Sequence, residues 1–398
     1  MLHFAILKSL IRVALADNSG PARHQVERLI EALRADGETK EAAALVRMLN
    51  QGARSHELAP SRISRSASAA GGSQERLTPS VPLPVDKETS APLATVIFPG
   101  DIVPQLPLFP EALKENIEAL VLEWENSERI AAAGMRPSLS CLVYGAPGTG
   151  KTTLAFWFAA RLGIPVVLAR LDGLISSYLG TTARNLGALF AFANRYECVL
   201  VLDEFDAIAK VRDDPNEVGE IKRVVNALLQ NMDAREGRGI TIGLTNHESL
   251  LDTAIWRRFE VQLAVPLPGF EQRVEIARRS LDADAESTDA DAKLLAWVCE
   301  GLSGAELQTM ALKFRKRRLL LDDIEVSPVT TVAQLSRSTS VHIDPERADR
   351  LFLDEVTLTK YFATSEIKFT HGELASLFGR STKTIGRRIS EEGSRHDE

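Results

Sequence analysis

The spacing of apolar residues changes character several times along this 398-residue chain. Over residues 1–50 the apolar positions recur at helical spacing. Val26, Leu29, Ile30 and Leu33 fall at i, i+3, i+4 and i+7, one face of a helix that Pro21 can open and Gly37 can close. Three short amphipathic helices are expected there. A bundle of that size has little core of its own and suits an adaptor that docks onto something else. Residues 51–92 lose the pattern: SRISRSASAAGGSQERLTPSVPLPVDKETSAP is rich in Ser, Pro, Gly and Ala and reads as a flexible linker.

From residue 93 short apolar runs alternate with helical patterns: SLSCLVYG, KTTLAFWFAARLG, PVVLARL, TARNLGALFAFANR, CVLVLDE, IKRVVNALLQNM, GITIGLT. Alternation of this kind predicts an α/β fold over 93–267, a parallel sheet with helices on both faces. Beyond Pro268 the patterns are helical only. They predict a helical unit over 268–322, a polar linker over 323–342 and a last helical unit over 343–398.

The segment GAPGTGKT, residues 145–152, fits G-x-x-x-x-G-K-[ST] between an apolar strand and a helix. Glycines let the backbone wrap closely around a phosphate chain, so that successive N–H groups and the helix N-terminus face negative charge. The cradle comprises Gly145, Pro147, Gly148, Thr149 and Gly150, with Thr153 on the first helical turn. Lys151 is placed for the β- and γ-phosphates of ATP, and the Thr152 hydroxyl for Mg²⁺.

Two further strand ends bear on the same phosphates. CVLVLDE ends in Asp203, a metal-side carboxylate, and Glu204, placed to activate the attacking water. Asp206, one residue beyond Phe205, reads as a helix-start acid. GITIGLTN ends in Asn246, whose neutral amide can orient that water, or which is simply a turn asparagine.

Composition narrows the class. Hydrophobic residues make up 44% and charged residues 25%, as in ordinary globular proteins. A net charge of −7 argues against whole-chain attraction to nucleic acid and leaves room only for a local basic patch. Cys141, Cys198 and Cys299 show no metal-ligand spacing and read as buried, reduced thiols. No apolar run reaches membrane-spanning length. The opening MLHFAILKSLIRVALAD is interrupted by Lys8 and Arg12 and is not read as a signal peptide, so a cytoplasmic location is expected.

In this order the motifs resemble the AAA ATPases, P-loop members of the AAA+ superfamily, over about residues 95–322. GAPGTGKT resembles their Walker A motif, LVLDE their Walker B, and Asn246 their first sensor. LLDTAIWRRFE, residues 250–260, resembles the arginine-finger segment, with Arg257 and Arg258 before Phe259 as in the spastin and katanin branch. GLSGAELQTMA resembles the segment opening the lid helix, which puts Gly304 and Ala305 beside the nucleotide. Ala305 stands where many relatives outside that branch carry a second-sensor arginine. The base-side segment around Asp101–Val103 lacks the family's Val-Gly pair.

The resemblance implies a homo-oligomeric ring, most often a hexamer, with ATP between subunits and Arg257 and Arg258 reaching the neighbour's γ-phosphate. It also explains SSYLGTT. Tyr178, Leu179 and Gly180 match a loop facing the central pore, whose aromatic rings grip an extended polypeptide with little sequence preference. Packing of Tyr178 and Leu179 into neighbouring core is the alternative. RDDPNEVGE, residues 212–220, would be a second, acidic pore loop. HESLL begins like HExxH but lacks the second histidine, so no zinc protease is expected within the chain. The N-terminal bundle and NEVGEIKRVVNALLQNMD are similar to a bacterial AAA group encoded beside subtilisin-like serine proteases, which implies a partner protease.

FTHGELASLFGRSTKTIGRRIS, residues 369–390, resembles a helix-turn-helix. Leu374 and Ala375 sit on its first helix, Gly379 makes the turn, Ser381 caps the second, and Ile385 and Ile389 anchor it. Arg380, Ser381, Lys383, Arg387 and Arg388 would meet DNA phosphates and base edges. Two readings follow. One is a ring ATPase that remodels protein substrates; the other is an ATP-switched DNA-binding regulator of the transposition-helper kind.

Overall fold

A computed structural model describes residues 75–102, 106–170, 179–204, 218–235, 239–251, 253–281, 289–320, 326–338, 341–365 and 367–390. The helices expected over 1–50, Tyr178, Asp206 and most of the 212–220 segment lie outside these residues.

Eight strands are described: β1 (Glu75–Arg76), β2 (Ala94–Ile97), β3 (Ser140–Tyr144), β4 (Val166–Ala169), β5 (Tyr196–Glu197), β6 (Val199–Leu202), β7 (Thr241–Thr245) and β8 (Val261–Ala264). Six of them form one sheet in the order β2-β4-β6-β7-β3-β8, parallel except for β2 at the edge. The central strands β6 and β7 are buried along their whole length. That burial explains why their sequences are unbroken apolar runs rather than alternations.

Helices cover both faces, as expected. On one face α1 (Glu111–Glu125) and α3 (Lys151–Leu162) pack Ile117, Trp124, Leu154 and Phe158 against Cys141, Val143, Val199 and Val201. On the other, α4 (Leu179–Arg195) and α5 (Val218–Arg235) pack Leu186, Phe190, Val225 and Leu228 against Leu142, Leu200 and Leu202. Adjacent strand residues thus serve opposite cores. The short α2 (Ser127–Ala132) and α6 (Thr253–Trp256) complete this part.

The linker expected over 51–92 does not hold across its last part. Residues 75–92 belong to the folded unit: β1 pairs with β5, Val85 bridges Pro92, and Leu77 and Asp86 are buried. Its few large apolar residues suffice because they enter a core shared by α4, α5 and the sheet.

The helical part also differs from the expected division. It comprises α7 (Phe270–Leu281), α8 (Asp289–Val298), α9 (Gly304–Leu320), α10 (Pro328–Ser338), α11 (Pro345–Arg350), α12 (Glu355–Thr364), α13 (His371–Phe378) and α14 (Thr382–Ser390). One core runs through all of it except α11, from Ala277 and Trp297 to Phe362, Leu377 and Ile385. Trp297 meets Phe362 edge-to-face at 4.9 Å, which joins the expected lid directly to the expected C-terminal unit. The linker placed over 323–342 holds α10, with Val329, Val332, Ala333 and Leu335 buried. Its Ser and Thr residues disguised the helix. Ser327 Oγ accepts the Thr330 N–H, and Pro328 opens the first turn. No described helix is long and apolar enough to cross a membrane.

Candidate nucleotide site

The candidate site lies at the carboxyl ends of β3, β6 and β7. The chain leaves β3 and opens α3 through residues 145–150, with Gly145, Gly148 and Gly150 at positive φ. A Cβ on Gly145 would stand 2.1 Å from the Val265 carbonyl oxygen, and one on Gly148 would stand 2.7 Å from Ser303 Oγ. Glycine is therefore required at both positions by backbone conformation and by space. Gly150 passes under Pro107, so the loop is enclosed by three separate segments.

Lys151 is almost fully buried, and its ammonium donates to the carbonyls of Gly145 (2.9 Å) and Ala146 (2.8 Å). Thr149 is buried and donates to the Ala146 carbonyl, which stiffens the loop. Pro147 and Thr153 are exposed. The Thr152 hydroxyl donates to Asp203 Oδ2 at 3.1 Å, so the first helical turn and the end of β6 meet as their spacing predicted. Asp203 Oδ1 accepts the Glu204 N–H at 2.8 Å. Glu204 is exposed and sits at φ 51°, left-handed backbone rare for a residue with a side chain. Asn246 directly follows β7, between the strands that end in the loop and in the acids.

These groups fit a magnesium nucleotide. A hydroxyl and a carboxylate 3.1 Å apart are hard oxygen donors, and Mg²⁺ commonly keeps waters and phosphate oxygens as its other ligands. Among the described residues no group of three or more His, Cys, Asp or Glu could hold a metal.

The helical part touches the loop itself. The Ala305 N–H donates to the Gly148 carbonyl at 3.1 Å, and Ala305 Cβ and Ser303 close over Gly148. Ser303 and Glu306 cap α9 reciprocally, Ser303 N–H to the carboxylate and Glu306 N–H to the hydroxyl. The S-x-x-E pattern was there to be read; Pro107 and Val265 gave no comparable signal.

The two arginines lie elsewhere. Ser140, the first residue of β3, donates its hydroxyl to the Arg258 carbonyl (3.1 Å) and accepts the Glu260 N–H (3.0 Å). Gly145 begins beyond the other end of the same strand, about 16 Å away at the usual rise for five residues. Arg257 and Arg258 are exposed, and Arg258 pairs with Asp233 of α5 at 3.0 Å. Phe259 is buried against Gly243, where a Cβ would stand 2.5 Å from the ring. A side chain at Gly243 would displace the anchor of the arginine segment, a dependence that sequence spacing does not show.

Of the loop residues, Leu179 and Gly180 form the start of α4. In the C-terminal pair of helices, Gly379 is left-handed at the turn and Ser381 Oγ accepts the Thr384 N–H. Arg380 gives Glu355 two hydrogen bonds and Arg388 a third. The Arg380 guanidinium, with Arg388, holds the Glu355 carboxyl down from 4.5 to about 2. Lys383 and Arg387 are exposed on α14. All three cysteines are buried, free thiols. Burial pushes the Cys299 thiol up to about 12 and raises Cys141 further, so neither is a ready nucleophile.

Comparison with known proteins agrees with this geometry. Residues 141–267 match the model of the AAA family, the ATPases associated with various cellular activities. An uncharacterized AAA family ATPase, y4kL of Sinorhizobium fredii, is 40% identical over 43% of this chain and 58% of its own. The proteasome-activating nucleotidase of Methanosarcina mazei is 33% identical over 50% of each chain, and the 26S proteasome subunit RPT4 of Saccharomyces cerevisiae is 32% identical over 50% of this chain and 48% of its own. The chain thus spans about half the length of the curated relatives it matches. The crystal structure of the FIGL-1 AAA domain in complex with ADP superposes with a TM-score of 0.50 at 22% identity, over 67% of this chain and 91% of that one. Loop, sheet order and family match converge on residues 141–267 as an AAA-type P-loop ATPase domain.

Proposed function

We propose that this chain hydrolyses Mg-ATP at a site completed by a second copy of itself, within a homo-oligomeric ring of the hexameric kind. Turnover remodels or unfolds protein substrates gripped by the loop of Tyr178, Leu179 and Gly180. The observation that carries this reading is the position of Arg257 and Arg258 at the end of β3 remote from their own P-loop. Exposed and anchored there, about 16 Å from the start of their own P-loop at the usual strand rise, they would serve the phosphates of a neighbouring subunit.

Magnesium-bound ATP brings the phosphoryl group whose transfer to water is to be catalysed. Lys151, now satisfied by two carbonyls, has phosphate oxygens as its stronger partners. Thr152 and Asp203 would hold the metal, Glu204 would take a proton from water, and Asn246 would orient that water. A planar guanidinium in trans would neutralise charge on the transferring group, which makes hydrolysis depend on assembly.

The names of the relatives support a protein substrate, since two of them act in or on proteasomes. Delivery of unfolded chain to a separate protease, of the subtilisin-like class in the resemblance above, belongs to the same proposal. The DNA reading is weaker, because two of its five candidate contacts, Arg380 and Arg388, are already engaged by Glu355.

The test is complementation. Lys151→Ala, and Arg257→Ala with Arg258→Ala, should each lose turnover alone. Mixed subunits should regain turnover, because a native P-loop then faces native arginines. Activity that stays absent on mixing, while both variants assemble, would overturn the trans site.

A further inference from the structure

Residues 75–97 contact the described residues on both sides of the segment that holds Tyr178. On the strand side, β2 pairs antiparallel with β4, Ala94 opposite Ala169, and the Arg170 N–H donates to the Leu93 carbonyl at 3.0 Å. Arg170 is the last described residue before that loop. On the helix side, Asp86 is 1% exposed and reaches α4 two turns into the helix, where its Oδ2 accepts the Asn185 amide at 2.6 Å. Its Oδ1 accepts the N–H groups of Glu88 (2.7 Å) and Thr89 (2.9 Å), so the carboxylate also shapes its own turn.

Weaker contacts repeat the pattern. Glu88 faces Arg184 at 3.7 Å, and Glu75 pairs with Arg195 at the far end of α4, where β1 runs beside β5. Leu77 and Leu93 share one core with Leu186, Leu189 and Phe190 of α4. Hydrogen bonds from Thr89, Asn185 and Glu88 hold this buried carboxylate charged, down at about 2, so those partners set its position. It joins two elements that the core alone already brings together.

We infer that residues 75–94 are a strap that fixes the substrate-gripping loop by both stems, with Asp86 a positioning residue acting through Asn185. The inference rests on the remodelling function proposed above.

Exchange of the pair tests it in the full chain. Asp86→Asn sets an amide donor against the Asn185 donor, and Asn185→Asp sets carboxylate against carboxylate. Together they restore one donor and one acceptor with their roles reversed. The substrate probe is reduced and alkylated lactalbumin, an unfolded polypeptide. Each single variant should keep basal ATP turnover, raise the KM for polypeptide about tenfold, and speed amide exchange over residues 179–186. The double variant should reverse both effects. Asn185→Ala, which leaves the Asp86 turn intact, serves where a single exchange unfolds the chain. Basal and stimulated turnover falling together, with no rescue in the double variant, would make the contact merely structural and overturn the inference. Unchanged KM and unchanged exchange in the single variants would overturn it too. A wild-type chain that polypeptide does not stimulate would sink the remodelling reading, and amide exchange would then still decide whether the strap holds the loop.

Discussion

The two ends of the central sheet are built differently. At the carboxyl end the catalytic candidates are joined by short polar contacts, Thr152 to Asp203 and Lys151 to two carbonyls, which ligand oxygens can replace. At the amino end the arginine segment is fixed by a buried ring and by hydrogen bonds to Ser140, and its charged tips are exposed. One end is made to exchange partners; the other is made to present a fixed group. Such a division suits a reaction whose parts come from two subunits.

Removing both arginines should have the largest effect on this comparison. Arg257→Ala with Arg258→Ala should lower kcat by roughly 10³-fold or more, with ATP affinity little changed. Steady-state turnover beside equilibrium nucleotide binding checks it, and a loss of binding instead would place the arginines in their own subunit's site. Next comes Glu204→Gln, which should cost about 10²–10⁴ in kcat and leave a chain that binds ATP without turning it over. Single-turnover kinetics that remain fast would move the base elsewhere.

Gly243→Ala addresses the link between the two ends. The added methyl meets the Phe259 ring and should destabilise the fold by about 1–3 kcal/mol. Denaturant unfolding measures that cost, and turnover should fall further than the loss of folded protein explains, because the arginine segment moves with the ring. The smallest effect is expected from Glu355→Gln, a control on α12. The Glu355 carboxyl is held below its ordinary value, so the stability it contributes is present above pH 4.5 and is lost as pH falls toward about 2. The substitution should flatten that acid limb of the stability curve and leave turnover at neutral pH unchanged. Altered turnover would tie the C-terminal helices to catalysis directly.

The sheet and its loop were legible because each carries a signal in consecutive residues. GAPGTGKT and LVLDE name both the element and its chemistry, and β3, β6, α3 and the Thr152–Asp203 contact follow from them. The helical part was legible only piecewise. Pattern found α8, α9, α13 and α14, but nothing in sequence joins Trp297 to Phe362, so one core was divided into two units and a linker. The strap was missed for a related reason. Residues 75–92 have the composition of a linker, and their order comes from partners about a hundred residues away, Asn185 and Arg195 among them. Gly243 and Ser140 are readable only once Phe259 and Arg258 are placed beside them.

The bond from Ala305 to the Gly148 carbonyl has a mechanical consequence. It lies at one tip of α9, whose 17 residues extend about 25 Å from the P-loop. The helices beyond that tip share their hydrophobic interior, so a rotation at this contact would carry them as a single arm with its fulcrum at the P-loop. Each degree of rotation there becomes about 0.4 Å of travel at the far tip of the helix. If turnover rotates this contact, the place to watch the movement is the surface farthest from the P-loop.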